Sequence, residues 1–319
     1  MCTAINYSGK HHLFGRNLDL EYHYAEQVIV TPRKYPFTFC DGSSLRSHAS
    51  MIGMATVMDG YPLYYEASNE WGLSMAGLNF PGNACYRPRQ SEGHNVASYE
   101  LIPWLLCRCK SVAEAEALLR QVNVCNIAFS ETLPPSPLHW LIADRHKAIV
   151  VEPRRDGLRI YDNPVGILTN NPPFPYHVQH LANYQNLTPE QPQNGFCPVG
   201  VRQYSNGMGA IGLPGDWSSG SRFVRAAFVK QHSMSEGDEI SQFFHLLSAV
   251  SMPAGSVLVE RKPEITRYTC CCDTESGIYY YTTYNNPRIT AVKLRCCHLD
   301  DSNLIPFDLQ DAPDIRFEN

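Results

Sequence analysis

The chain has 319 residues, 44% of them apolar and 18% charged, with a formal charge of −5. That balance belongs to a folded globular chain and excludes a disordered or fibrous one. No run of Lys or Arg marks a nucleic-acid surface, and no stretch approaches the roughly 20 consecutive apolar residues of a membrane span.

The first segments, "MCTAINYS", "HHLFGRN", "EQVIVTPR" and "SMIGMATVM", alternate as short strands, and "NEWGLSMAGLNF" adds another with Gly72 at its start. Helical periodicity enters with "SYELIPWLLCRC" and "SVAEAEALLRQV", the second opened by a capping box of Ser111 and Glu114. Strands return in "LHWLIADRHKAIVVEPRRDGLRIYDNPVGILTNN", where "RDG" makes a hairpin turn. Residues 181–220, dense in Pro, Gly, Asn and Gln, read as a long loop or arm. Helices follow near 219–232 and 237–250, and "GIYYYTTYNNPRITAVKL" closes the pattern as a hairpin of Tyr/Thr strands around "NNP". Strands at both ends with helical blocks between them predict an α+β fold rich in antiparallel sheet. No composition break or internal repeat divides it, so 1–319 reads as a single domain.

Two motifs mislead. "GMGAIGLPG" contains G-x-G-x-x-G at Gly207, Gly209 and Gly212, but a polar loop precedes it and Pro214 and Gly215 follow. A dinucleotide site needs a strand before the glycines and a helix opening within them, so no cofactor is expected. The twelve cysteines follow no disulfide framework, and "TCCCD" (Cys270–Cys272) and "RCCHL" (Cys296, Cys297) lack C-x-x-C pairs. Adjacent strand residues face opposite ways, so reduced, packed thiols and no metal are expected. The N-terminal segment has no basic leader followed by an apolar core, which favours the cytoplasm.

Chemistry centres on Cys2. Its plain reading is a small buried hydrophobe. If Met1 is trimmed, however, Cys2 carries a thiol and a free amine on one carbon. Such an amine titrates at about 7.7–8.0, the range of a general base at neutral pH. In "FGRNLD", Arg16 would favour a thiolate and Asp19 would hold the amine. Asn79 in "AGLNF" and Asn170 and Asn171 in "LTNNP" follow apolar strands, where they supply either oxyanion donors or plain Asx turns. "SRFVR" places Arg222 and Arg225 at a helix start, with Arg222 able to reach inward past the arm.

These segments, with "LHWLIAD", "DNPVGILTNNP", "GLPGDWSSGSRF" and "GIYYYTTYNN", resemble in order and spacing the choloylglycine hydrolase family of N-terminal nucleophile hydrolases. The resemblance covers about 280 residues. It implies a four-layer α-β-β-α sandwich and an enzyme in which Cys2 is the nucleophile and its amine the base, with no cofactor. It also implies roles for Arg16, Asp19, Asn79, Asn170 and Arg222 in the site, with Asn79 and Asn170 at the oxyanion positions; Asn171 and Arg225 are left as structural neighbours. Leu18, Tyr24, Asn79, Phe129, Leu133 and Leu138 match positions that line a steroid pocket. The family implies a conjugated bile salt as substrate, cleaved to bile acid and glycine or taurine. Penicillin V or another N-acyl amide is the alternative, and a non-catalytic steroid binder the contrasting class. A homotetramer built through the 181–220 arm is the expected assembly, with no membrane or nucleic-acid partner.

Overall fold

A computed structural model describes residues 1–196, 198–234 and 237–319; Cys197, within the expected arm, lies outside the described residues. Its two large sheets are built from strands β1 (Cys2–Ser8), β2 (His12–Leu20), β3 (Gln27–Thr31), β4 (Met51–Met58), β5 (Tyr61–Asn69), β6 (Ser74–Asn79) and β7 (Leu138–Ala143). The same two sheets also contain β8 (Ala148–Arg154), β9 (Gly157–Asp162), β10 (Ile167–Leu168), β11 (Ile265–Asp273), β12 (Ile278–Thr283), β13 (Thr290–Lys293) and β14 (Ile305–Asp308), and shorter strands form two-stranded sheets beside them. The six-stranded sheet runs β10-β1-β2-β11-β12-β13 and the eight-stranded sheet β9-β8-β7-β6-β5-β4-β3-β14. Every pairing within both sheets is antiparallel.

Burial explains why several strands read as continuous apolar runs. Val28, Val30, Leu141 and Val150 enter one core cluster, while their neighbours Ile29, Trp140, Ile142, Ile149 and Val151 enter another. A period of 2 sends alternate residues to opposite faces, so a sheet covered on both sides needs apolar residues at every position. The first cluster joins both sheets to helices α4 (Ser219–Gln231) and α5 (Glu239–Ser248) through Phe14, Leu78, Phe223, Phe243 and Leu246. The second lies beneath α1 (Leu101–Leu106) and α2 (Val112–Leu119), around Trp104, Leu105, Val112 and Trp140. Helix, sheet, sheet, helix is the layering that the family resemblance implied. The remaining helix, α3 (Phe174–His180), packs near α4 through Phe174, His177 and Phe223.

Local details follow the sequence closely. The "RDG" turn joins β8 to β9, with Arg154 opposite Gly157, whose φ of 126° suits glycine. Tyr281 faces Thr290 across the final hairpin. Ser111 caps α2 by accepting from Glu114 N, but the Glu114 carboxylate returns to Lys110 N, one residue earlier than a capping box would place it. The G-x-G-x-x-G segment carries one short 3-10 turn, Met208–Ala210, and no strand leads into it.

His12, at the start of β2, is buried between Thr274 Oγ1 at 2.7 Å and Asn6 Oδ1 at 2.6 Å. Burial pushes its pKa from 6.5 down to about 4. The folded chain therefore binds fewer protons than the unfolded one across this window, and stability falls as pH drops from 6.5 towards 4. The loss attributable to His12 is about 3 kcal/mol. Calorimetric melting from pH 7 to pH 4 is expected to show this slope, and His12→Gln is expected to flatten it.

Candidate active site

The site grows from the register of β1, β2 and β11. Cys2 stands opposite Leu18, Ala4 opposite Arg16, and Asp19 opposite Thr266, with a register shift between Thr266 and Tyr268. Cys2 is 3% exposed, and Arg16, Asp19 and Arg222 are fully buried around it.

Arg222 enters from α4, whose N-terminus is capped by Ser218. Its Nη1 donates to Cys2 O at 2.5 Å and Thr3 Oγ1 at 2.7 Å, Nη2 to Asn170 Oδ1 at 2.8 Å, and Nε to Trp217 O at 3.0 Å. Asn170 Oδ1 also accepts from Cys2 N at 2.9 Å. Asn170 is itself gripped on three sides. Its Nδ2 donates to Asn79 O at 2.8 Å and its main-chain N to Ser219 Oγ at 2.8 Å, while its carbonyl meets His177 Nε2 at 2.9 Å. Asn170 thus clamps the Cys2 nitrogen and ties it to both Arg222 and the end of β6. Asn171 points elsewhere, donating to Pro81 O at 2.7 Å. Arg225 ties Ala249 O to Pro214 O and Asp216 O, outside the site.

Arg16 reaches between the sheets. Nη1 donates to Gly77 O at 2.7 Å and Tyr65 O at 3.1 Å, and Nε lies 3.7 Å from Glu66 Oε2. Burial works against the charge of Arg16, but Cys2, Tyr268 and Glu66 outweigh it and hold the pKa above its ordinary value. Glu66 accepts from Tyr268 OH at 2.7 Å and Tyr279 OH at 2.6 Å. Burial pushes its carboxyl pKa up, opposed by Arg16 and by the two tyrosines. Among the described residues Arg16 Nη2 has no partner.

Asp19 Oδ1 accepts from Thr266 Oγ1 at 2.6 Å, and its Oδ2 is buried without a partner among the described residues. Burial raises the Asp19 pKa, while Arg222 and the chain's amino group pull it back. That amino group belongs to Met1 and is itself pushed down by burial. Arg16 Nη2 and Asp19 Oδ2 are a free donor and a free acceptor on residues flanking Cys2, a pattern that calls for a reacting group or a water.

The expected pocket residues are dispersed. Leu18 lies opposite Cys2, packed in the core between the sheets. Asn79 and Leu138 face each other across β6 and β7, with the Asn79 side chain exposed. Phe129 and Leu133 close one turn, where Phe129 N donates to Leu133 O at 3.1 Å and the Phe129 ring stacks edge-on to Tyr99. Tyr24 is 48% exposed beside Tyr22. Composition and spacing give no hint of Glu66, Thr266, Ser219 or His177; the one local signal is a lone acid inside the apolar strand "YYEAS".

Elsewhere, a cavity of about 1120 Å³ opens at the far end of β1, between Asn6–Ser8, Val165 and Lys230. His11, Asp273 and Glu275 bring ligand atoms within 4.8 Å of one another, but Arg145 already pairs with Glu275.

A family model described as linear amide C–N hydrolases, choloylglycine hydrolase family, matches residues 2–307. The chain belongs to the choloylglycine hydrolase family. It is 49% identical over 315 residues to the bile salt hydrolase/transferase of Lactiplantibacillus plantarum, covering 97% of each chain. It is 38% identical to that of Clostridium perfringens, over the full length of both. A crystal structure of a conjugated bile acid hydrolase variant from Clostridium perfringens superposes with a TM-score of 0.94, at 35% identity and complete coverage of both chains. The penicillin V acylase of Agrobacterium tumefaciens matches at a TM-score of 0.76 and 17% identity, covering 97% of this chain and 91% of that one, which establishes a shared fold. The protein is thus a linear amide C–N hydrolase of this family.

Glu66→Ala is expected to strip the buried Arg16 of its counter-charge and cost about 3–5 kcal/mol. Glu66→Gln, which keeps an acceptor for one tyrosine, is expected to cost less. Urea unfolding of the two variants beside the parent chain measures the difference.

Proposed function

We propose that this enzyme hydrolyses the amide bond of glycine- or taurine-conjugated bile salts, releasing bile acid and the amino acid, with Cys2 as nucleophile after Met1 is removed. One observation carries the reading. The Cys2 nitrogen is clamped to Asn170 Oδ1 while Arg222 holds the Cys2 carbonyl. When Met1 leaves, that nitrogen becomes an amine held in place on the carbon that bears the thiol.

In this mechanism the amine takes the thiol proton, directly or through a water, and the thiolate attacks the amide carbonyl. Arg16 and Arg222 supply positive field at the sulfur, and Asp19 Oδ2 accepts from the ammonium that forms. Asn79, whose side chain is exposed beside the site, and the second N–H of Asn170 Nδ2 donate to the oxyanion. The C–N bond breaks as the nitrogen takes a proton from the Cys2 ammonium; water then cleaves the thioester. The relatives named for bile salts support the substrate class. Leu18, Tyr24, Phe129, Leu133 and Leu138 are the proposed apolar contacts to the steroid.

Assembly as a homotetramer through 181–220 belongs to the same proposal. Phe196 at 98% and Tyr204 at 84% exposure, with Val199, Val201 and Ile211, give this arm an apolar face suited to a neighbouring subunit. Among the described residues no helix is long and apolar enough to cross a membrane. The eleven described cysteines are all free, which fits the proposed cytoplasmic setting.

Ninhydrin detection of amino acid released from glycocholate and taurocholate tests the substrate. Faster cleavage of penicillin V would replace bile salts by that class. The active protein is expected to lack one Met by intact mass, and Cys2→Ser is expected to lose at least about 10^3 in kcat with binding retained. Asn170→Ala is expected to lose about 10^2–10^3, mostly in kcat. Asn171→Ala is the control and should stay close to the parent enzyme.

A further inference from the structure

With Met1 in place, the structure holds an ammonium group one residue from the nucleophile. Met1 N donates to Asp19 O at 2.6 Å and forms an ion pair with Glu264, while Met1 O accepts from Asp19 N at 2.9 Å. Glu264 sits just before β11, its main-chain N donating to Val257 O at 3.0 Å. Its side chain is 1% exposed, and Oε2 is buried with no hydrogen-bond partner among the described residues. A buried carboxylate is costly unless a cation or donors satisfy it. Removal of Met1 takes away the cation and leaves Glu264 and the Asp19 carbonyl facing the space that an amino acid's ammonium occupied.

We propose that Glu264 and the Asp19 carbonyl form an amine subsite in the trimmed enzyme, one that takes the nitrogen end of the scissile amide and the ammonium of the amino acid. The inference rests on the reading of Cys2 as the acylated nucleophile. In the intact substrate the amide N–H donates to this pair of acceptors. After C–N cleavage the departing amine takes a proton from solvent, and the resulting ammonium pairs with the Glu264 carboxylate. The same subsite serves the reverse step. An arriving ammonium gives one proton to Glu264, and the neutral amine attacks the thioester carbonyl. A C–N bond forms, the C–S bond breaks, the second proton passes to the Cys2 amine, and sulfur leaves as thiolate. Proton and charge balance need no further reactant. Met1 in the untrimmed chain is thus an internal occupant of the amine subsite.

The test compares two acceptors for one acyl-enzyme. Trimmed enzyme is given taurocholate with either glycine, an ammonium at neutral pH, or hydroxylamine, which is uncharged there. Initial rates of glycocholate and hydroxamate formation are read by mass spectrometry. The ratio of glycine conjugate to hydroxamate is expected to fall at least tenfold in Glu264→Gln and to recover in Glu264→Asp. An unchanged ratio overturns the proposal. Hydroxamate formation in the parent enzyme, and its loss in Cys2→Ser, reports separately on the acyl-enzyme reading. In the unmutated enzyme, glycinamide (ammonium without carboxylate) is expected to inhibit at lower concentration than glycolate (carboxylate without ammonium). Equal inhibition by the two also overturns it.

Discussion

A guanidinium sealed from water organises this site. Arg222 is fully buried, and such a charge is tolerable only when its donors are satisfied. Its four partners come from three places: the Cys2 carbonyl and Thr3 on β1, Asn170 after β10, and Trp217 before its own helix. Each bond removes a freedom that the start of the chain would otherwise have. The direction of α4, the course of the chain after β10 and the first residues of β1 are set together, because moving any one would leave the cation unmet.

The second cation, Arg16, faces the opposite way, into the layer between the sheets. Each arginine has a carboxylate: Glu66 lies beside Arg16, and Asp19 acts on Arg222. Cys2 therefore interacts with two positive groups, each of which is also answered by a carboxylate. A lone buried arginine would be a liability. Paired in this way, the two concentrate positive field at Cys2 while keeping the interior near neutrality. Tyr268 and Tyr279, donating to Glu66, oppose the rise that burial imposes on its carboxyl pKa and so favour the charged form.

Much of this was readable from residue order. Alternation marked the strands, whereas the unbroken runs "WLIA" and "AIVV" take their meaning from the structure, where one sheet is covered on both faces. Cys2, Arg16 and Asp19 were legible because a single hairpin brings them together within twenty residues. Arg222 stood out as a charge among apolar neighbours at a helix start. Glu66 and Glu264 were not legible, since what gives them meaning lies far off in sequence: Tyr268 is 202 residues beyond Glu66. The grip on Asn170 was equally hidden. A side chain that could cap a turn, feed an oxyanion or hold an amine looks the same in one dimension, and only the positions of Cys2, Asn79 and Arg222 tell these apart.

The topology also orders events in time. β1 is flanked by β2 on one side and by β10, Ile167–Leu168, on the other, and β2 waits for β11, Ile265–Asp273. During synthesis the strand bearing Cys2 emerges first and has β2 at hand at once, but β10 on its other side and β11 beyond β2 arrive much later. Pairings this distant close slowly. In the closed fold the amino group of Met1 is held against Asp19 and Glu264. Under the proposed mechanism, trimming is easiest on the nascent chain, before these contacts close. The proposed nucleophile would then be unmasked early and surrounded late, since Arg222 is made 220 residues after Cys2.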